Sequence, residues 1–328
     1  MKKSTNSITM EKSLTKKEKI FQEYAENLKL LTDNGLIERK ASKELIYLCP
    51  TCLREFTTPD DTGNLLTLEH VPPDALGGKA NILACAKCNN EAGTKIDAHL
   101  IERLRQLDKA ELKPGTAIKI QVKIGAELFR GTIIVDENGL LQMEHSKENN
   151  HPDKLSEAMK NLKAGTKLDA DFINKRVLPE NLEYALLRIG YLMVFQKCGY
   201  SLILDKCFDD VRNQILNPEK RIYPEGFWLT PPYPKEMSGV YFITTAGMEA
   251  LLTIFSVNTG QTERLFGVIL PLPIRPVGEV ITLLSNKVEN EGEFELSLYP
   301  KEQANKDYLD TLDNIKAMSD WITKRKSK

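Results

Sequence analysis

The segment that decides the fold runs from Cys49 to His99. It reads CPTC at its start, LTLEHVPPDALGGKAN in its middle, and CAKCNN and then GTKIDAH at its end. It contains two Cys-x-x-Cys motifs, Cys49/Cys52 and Cys85/Cys88, which we call the first and second knuckle. Each knuckle can supply two thiolates from one turn, so the four cysteines match the tetrahedral ligand set of zinc. The stretch between the knuckles is longer than in a simple zinc ribbon, is rich in turn residues and contains a histidine. The sequence therefore predicts a zinc site folded around a further polar site.

Length and composition indicate a soluble protein with about two domains. The chain has 328 residues, of which 41% are hydrophobic and 28% charged, and its formal net charge is -1. Such a balance gives no overall attraction to nucleic acid or to a membrane, so a polyanion would have to be held by a local patch. Residues 1–19 lack the apolar core of a signal peptide, and the most apolar run, 182–198, is interrupted by charges. We therefore expect a cytoplasmic protein with no membrane span.

The remaining cysteines and the lysine-rich ends have ordinary interpretations. Four of the six cysteines lie in the knuckles, which favours a reducing compartment and metal binding over disulfides. Cys198 and Cys207 are expected to be buried as small hydrophobic residues. The lysines near both termini could help to hold a polyanion, and a solvated, disordered terminus is the alternative.

The hydrophobic pattern divides the chain into three parts. Residues 1–40 are expected to form a disordered tail and a helix over about 14–32. Residues 41–113 combine short strands around the knuckles with a helix over about 89–112.

Residues 114–328 are expected to form a larger domain with antiparallel strands. Apolar residues alternate over 116–124, as in a half-buried strand, and 179–198 is apolar nearly all round, as in a buried helix. Further strand-like runs follow at 240–244, 251–257, 265–270 and 280–284, and a last helix is expected over about 302–323. The predicted fold class is α+β, with a small zinc-knuckle domain followed by a larger α+β domain.

The landmarks around the knuckles resemble those of the HNH nucleases, a family with a ββα-metal fold. In that family a first knuckle precedes a strand that ends in an acidic residue and a histidine. A proline, a Gly-Gly turn, an asparagine and the second knuckle follow, with an asparagine or histidine directly after the last cysteine. The resemblance covers about residues 45–100, under a quarter of the chain. The corresponding residues of this chain are Glu69-His70, Pro72, Gly77-Gly78, Asn81 and Asn89.

The resemblance implies a metal-dependent endonuclease that hydrolyses phosphodiester bonds in DNA. His70 would be the general base, because an imidazole can take a proton from water near neutral pH. Glu69 and Asn89 would offer oxygen ligands to one divalent cation, Mg²⁺ or Mn²⁺, which would stabilise charge on the scissile phosphate. Asn81 would act indirectly by helping to orient His70.

Two features depart from the family pattern. The acidic residue before the histidine is usually aspartate, and Glu69 is one methylene longer, so it would reach the cation through a water or not at all. Members often carry a lysine soon after the last asparagine, and this chain does not. We therefore expect phosphate contacts from other lysines, such as Lys79, Lys87 or Lys95.

Each assignment has a plainer alternative. His70 could be a buried hydrogen-bonding residue, and Asn89 or Asn90 could be helix caps. Asp97 and His99 lie further along the same helix, where surface or structural roles are expected before a role in the site. For the whole region, the alternative to the enzyme is a non-catalytic zinc-stapled module that binds nucleic acid or protein. The complete set of landmarks favours the enzyme.

The role of residues 114–328 is left open by the sequence. A small nuclease core buries too little DNA surface to be selective alone, so this part could supply specificity. It could also make a homo-oligomer, since a double-strand break needs two active sites. A third alternative is an activating ligand or protein partner, as in bacterial defence effectors with this layout.

Overall fold

The structure is a computed structural model that describes residues 14–61, 64–145, 150–230, 234–292, 295–299 and 308–326. The predicted disordered tail lies outside these residues. Four lysines of the lysine-rich ends, Lys2, Lys3, Lys12 and Lys328, and the first residues of the last predicted helix also lie outside them.

The first described element is helix α1, Lys16–Asp33, as predicted over 14–32. It begins with a capping box, in which the Thr15 hydroxyl accepts from the Glu18 amide and the Glu18 carboxylate accepts from the Thr15 amide. This exchange satisfies amides that have no partner in the first turn of a helix. The predicted apolar stripe is buried: Ile20, Tyr24, Leu28 and Leu31.

The knuckle region contains two small antiparallel sheets and an interrupted helix. Its strands are β1 (Tyr47–Leu48), β2 (Glu55–Phe56), β3 (Asp60–Asp61), β4 (Asn64–Val71) and β5 (Lys79–Cys85). Strand β1 pairs with β2, and the second sheet has the order β3-β4-β5. Helices α2 (Ala86–Ala92) and α3 (Ala98–Ala110) follow, joined by a π-helical turn, Gly93–Asp97. The helix therefore begins three residues before the predicted start at 89, because Cys85 is its N-cap.

A four-stranded antiparallel sheet follows, and it has a small core of its own. Its strands are β6 (Ala117–Ile124), β7 (Glu127–Val135), β8 (Leu141–His145) and β9 (Asp169–Phe172), in the order β8-β7-β6-β9. The alternation predicted for β6 is confirmed, since Ile118, Ile120 and Val122 are buried on one face. Helix α4, Pro152–Asn161, lies between β8 and β9 in the chain and buries Leu155.

The remaining elements build a five-stranded antiparallel sheet with helices around it. The helices are α5 (Pro179–Cys198), α6 (Tyr200–Ile203), α7 (Asp209–Leu216), α8 (Val277–Glu291) and α9 (Leu312–Lys326). The strands are β10 (Trp228–Leu229), β11 (Gly239–Ile243), β12 (Ala250–Asn258), β13 (Glu263–Leu270) and β14 (Leu298–Tyr299). The sheet order is β10-β13-β12-β11-β14.

Two predictions for this part were wrong in detail. The run 280–284 is helical rather than a strand, because the apolar residues from Val277 to Leu284 recur at helical spacing after Pro276, the N-cap of α8. The last helix begins at Leu312 rather than near 302, since residues 308–311 are not helical. The strands predicted at 240–244, 251–257 and 265–270 are confirmed.

Helix α5 lies inside the main hydrophobic core, as its apolar sequence predicts. It packs against α3 on one side and against β12 and β13 on the other. The approach to the sheet is close at Gly190, where a Cβ would lie 2.6 Å from the Thr253 hydroxyl. Among the described residues no helix, α5 included, is long and apolar enough to cross a membrane.

The fold is therefore the predicted α+β class, with helices and antiparallel strands mixed and the knuckle region in the N-terminal part. One continuous core connects α1, the knuckle region, α5 and the five-stranded sheet. The boundaries predicted near residues 41 and 114 stay predictions.

Candidate functional site

The four knuckle cysteines form a cluster with the dimensions of a zinc site. Their Sγ atoms all lie within 4.8 Å of one another, and Cys52 and Cys85 are 3.7 Å apart. A tetrahedral ion with zinc–sulfur bonds of about 2.3 Å holds its sulfurs about 3.8 Å apart. None of the four is in a disulfide. The donor set and its spacing therefore fit zinc, and the cysteine tetrad can bind it.

Backbone amides shape both knuckles around the sulfurs. Cys85 is the N-cap of α2, and its Sγ accepts from the Cys88 amide at 3.4 Å. The Cys85 amide donates to the Sγ of Cys49, also at 3.4 Å. Such bonds stabilise thiolates, which are the form that binds metal. In the first knuckle the chain reverses through Leu53, whose φ is 56°.

His70 lies at an irregularity of the β4–β5 pair. The register shifts between Glu69, which pairs with Ile82, and His70, which pairs with Ala80, so Asn81 is an extra residue on β5. Bulges of this kind redirect side chains and are frequent beside active sites. The His70 side chain is 38% exposed, and its Nε2 lies 3.8 Å from Asp74 Oδ1. The His70 side chain is thus accessible to solvent, and it is not the buried hydrogen-bonding residue of the plainer alternative.

The Gly-Gly turn after this strand has a steric requirement. At Gly78 a Cβ would lie 1.5 Å from the Pro72 carbonyl oxygen, so no other residue fits there. Gly77 has a φ of 80°, a conformation that L side chains rarely adopt. In the turn that follows His70, the backbone at Gly78 therefore lies very close to the backbone at Pro72.

Asn89 is fixed against β4 from the first turns of α2. Its Nδ2 donates to the Thr67 hydroxyl at 3.0 Å and to the Leu68 carbonyl at 3.2 Å. With both amide hydrogens used on described residues, Oδ1 is left as the acceptor atom. The capping alternative for Asn89 and Asn90 was wrong, because Cys85 is the cap.

Glu69 is buried, and it faces an arginine of α5. Its Oε2 accepts from Arg188 Nη2 at 2.6 Å, and Arg188 Nη1 donates to Asp97 Oδ2 at 2.8 Å. The three residues are 3%, 2% and 6% exposed, in the order Glu69, Arg188 and Asp97. Burial raises the pKa of Glu69 to about 7, against the opposite effect of the Arg188 charge. One carboxylate oxygen of Glu69 is thus engaged by Arg188.

Asn81 makes no side-chain hydrogen bond to His70. Its side chain is exposed on β5 and makes no hydrogen bond with the part of the chain that the structure describes. The expectation that it orients His70 stays a prediction, with no side-chain hydrogen bond between the two to support it.

Residues 49–105 match the HNH endonuclease family. This segment is an HNH endonuclease domain. The match begins at the first knuckle cysteine and extends into α3, so it includes every predicted site residue. It indicates a nuclease-type function with nucleic acid as the substrate. Comparison with curated proteins and with solved structures found no match.

The predicted phosphate-binding lysines of the HNH domain are exposed. Lys79 lies at the start of β5, and Lys87 and Lys95 lie on α2 and the π-helical turn. The last two lie 4.0 and 3.5 Å from Glu91, which offsets part of their charge.

Sequence reasoning missed two connections between the HNH domain and the rest of the chain. Arg188 is 119 positions from Glu69, and its only signal was a charge in the middle of a largely apolar helix. His99, expected to be structural, accepts at Nδ1 from the Leu178 amide at 3.1 Å, just before α5 begins. Asp97 is also structural rather than exposed.

Proposed function

We propose that the protein is a metal-dependent HNH endonuclease that hydrolyses phosphodiester bonds in DNA. One arrangement supports this most strongly. The accessible imidazole of His70 lies on the same strand against which the Asn89 carboxamide is fixed by two hydrogen bonds. The proposed reaction needs a proton acceptor and an oxygen ligand, and these two residues on adjoining elements are suited to those roles.

His70 is the proposed general base. Its ring is partly exposed, so a water molecule can reach it, and Asp74 at 3.8 Å is the nearest carboxylate on the same turn. His70 takes the proton from that water as the water oxygen bonds to phosphorus and the bond from phosphorus to the leaving sugar oxygen breaks. The leaving oxygen then takes a proton from solvent.

Asn89 Oδ1 and the second carboxylate oxygen of Glu69 are the proposed protein ligands of a divalent cation. Both are hard oxygen donors, which suit Mg²⁺ or Mn²⁺, and such ions keep waters and take phosphate oxygens for the remaining positions. The bound ion would stabilise negative charge on the scissile phosphate. Because Arg188 engages Oε2, Glu69 can offer only Oε1.

The four cysteines are proposed to hold a structural zinc ion, closed by four protein ligands. Residues 41–113 would form the nuclease domain and 114–328 a domain for specificity, oligomerisation or response to an activating ligand or protein. A cytoplasmic location is part of the same proposal.

The test is cleavage of supercoiled plasmid by the purified full chain with Mg²⁺ or Mn²⁺, beside the same reaction in EDTA. His70→Ala is the test variant, and His145→Ala, an exposed histidine of β8, is the matched control. Metal-dependent nicking by wild type and by His145→Ala, lost in His70→Ala at equal zinc content, is the expected result.

Two outcomes would count against the proposal. Cleavage by His70→Ala at the wild-type rate would remove His70 from the role of base. No cleavage of DNA by any protein, together with tight plasmid binding, would favour the non-catalytic binding module instead.

A further inference from the structure

Three ionisable side chains meet inside the core directly behind the proposed active site. Arg188 of α5 donates one hydrogen bond to Glu69 of β4 and one to Asp97 of the π-helical turn. We call these three residues the buried triad. Its members come from three separate elements, and one of them is the residue immediately before His70.

The buried triad is not explained by stability alone. Moving charges out of water costs free energy, and apolar residues of similar size often replace a buried ion pair without loss. Here one guanidinium faces two carboxylates, and both Arg188 Nε and Asp97 Oδ1 have no partner among the described residues. The buried triad thus costs desolvation free energy and leaves polar atoms without hydrogen bonds to the described part of the chain, so we look for a functional role beyond stability.

The position of the buried triad indicates such a role. The β4–β5 register shifts between Glu69 and His70, so the side chain of Glu69 is held on the core side of the irregularity that presents His70. Asp97 belongs to the only π-helical turn in the described residues, and such turns are frequent at functional sites. Because the Arg188 guanidinium bonds to both carboxylates, it fixes the strand bulge at Glu69 relative to the π-helical turn that contains Asp97.

We propose that Arg188 is a positioning residue of the nuclease centre. It restrains Glu69 so that Oε1, and the His70 that follows, keep the geometry the reaction needs. This inference rests on the proposed endonuclease activity. It also makes the catalytic strand depend on α5, a helix outside the HNH domain.

Arginine is suited to this role in a way that lysine is not. The planar guanidinium offers separate nitrogens at a fixed angle, so it can engage two carboxylates at once. A lysine at position 188 would keep the charge but lose the fixed fork. Arg188→Lys is thus the conservative variant, and Arg188→Met removes the charge while keeping much of the volume.

The experiment compares kcat and KM for plasmid cleavage by the full-length variants, with zinc content and melting temperature measured on each. The control is Tyr191→Phe, one turn further along α5. Tyr191 is equally buried, and its hydroxyl donates to the Pro50 carbonyl of the first knuckle. It therefore also connects α5 to the HNH domain but does not touch Glu69.

For Arg188→Met we expect kcat to fall by about tenfold or more, in the range seen when residues that support metal ligands are removed. KM and zinc content should stay at their wild-type values, and Arg188→Lys should have an intermediate kcat. Tyr191→Phe should lower the melting temperature and leave kcat unchanged.

A second variant covers the case in which Arg188→Met does not fold. Arg188→Met with Asp97→Asn keeps the same formal charge in the buried triad, because one positive and one negative charge are removed together. Its kcat should fall in the same way. Wild-type kcat in either folded variant would overturn the inference and leave Arg188 as a packing contact only. Absence of cleavage by wild-type protein would instead defeat the proposed function, before any variant is compared.

Discussion

The hydroxyl of Tyr200 bonds to both backbone groups of Leu48. It accepts from the Leu48 amide at 2.8 Å and donates to the Leu48 carbonyl at 2.7 Å, across 152 positions of sequence. Leu48 directly precedes the first knuckle cysteine. The Tyr47 hydroxyl makes the same pair of bonds to Leu83, two residues before the second knuckle. The strand ends that deliver the knuckles are therefore held by buried tyrosines, one of which, Tyr200, is distant in the sequence.

Tyr200→Phe should lower the free energy of unfolding by about 1–3 kcal/mol, because it leaves a buried amide and a buried carbonyl without partners. Denaturant unfolding followed by circular dichroism measures the change. Tyr184→Phe is the control, since Tyr184 is equally buried and its hydroxyl makes no hydrogen bond to the described residues. A loss no larger than that of the control would contradict the structural role given to Tyr200.

Removal of one knuckle thiolate should release zinc and destabilise the fold. Cys88→Ala leaves three ligands, which cannot close the tetrahedral site, and zinc binding is coupled to folding. We expect one zinc ion per wild-type chain, much less for Cys88→Ala, and a lower melting temperature for that variant. Cys207→Ala, which alters a half-buried cysteine outside the cluster, should keep the metal. Mass spectrometry measures the zinc bound per chain. Equal zinc content in both variants would contradict the assignment of the four knuckle cysteines as the zinc ligands.

The sequence predicted the zinc cluster and the strand that carries His70 because these depend on local spacing. Two knuckles with an acidic residue and a histidine between them fold by short-range rules of turns and strands. The helix α1 was predictable for the same reason, since its cap at Thr15 and its apolar period lie within one segment. The order of the landmarks also placed Asn89 on a helix, although α2 begins three residues earlier, at Ala86.

The surroundings of Glu69 could not be predicted, because they depend on contacts far apart in the chain. The sequence predicted that the Glu69 carboxylate binds a cation, whereas one of its oxygens accepts a hydrogen bond from Arg188 of α5. The prediction of a strand at 280–284 was wrong for a different reason. A short apolar run fits both a buried strand and one face of a helix, and Pro276 at the start of α8 favoured the helix.

Asn89 and its neighbour Asn90 form a matched pair of test and control positions, because the Asn89 side chain bonds to β4 and the Asn90 side chain is exposed. Asn89→Ala should reduce plasmid cleavage by about 10–100-fold, because it removes a proposed cation ligand and the contact of α2 with β4. Asn90→Ala should have no such effect, since the Asn90 side chain is exposed. The measurement is the cleavage rate as a function of Mg²⁺ concentration. The cation role of Asn89 would be refuted if both variants cleave like wild type.

Asp108 at the end of α3 connects the helix to the β12–β13 hairpin. Its Oδ2 accepts from the Thr259 hydroxyl at 2.5 Å, and its Oδ1 lies 2.7 Å from Arg264 Nη2. Burial acts to raise the pKa of Asp108, but the hydrogen bond from Thr259 and the ion pair with Arg264 outweigh it, so the pKa is lowered. The ionised carboxylate is thus the form that the folded protein favours.

Asp108→Asn should therefore lower the free energy of unfolding by about 2 kcal/mol at neutral pH, where the charged hydrogen bond from Thr259 is weakened and the ion pair with Arg264 is lost. The wild-type advantage is present above the ordinary carboxyl pKa of 3.8, and it disappears as the pH falls through the lowered folded value. Denaturant unfolding of both proteins across this range measures the difference, and zinc loss in acid cancels because it affects both. Glu111→Gln is the control, because Glu111 is about half exposed and lies 3.5 Å from the same arginine. It should change stability by well under 1 kcal/mol, as exposed pairs do. A difference between wild type and Asp108→Asn that stays constant from neutral pH to well below 3.8 would show that packing, not the ionised carboxylate, holds the hairpin to α3.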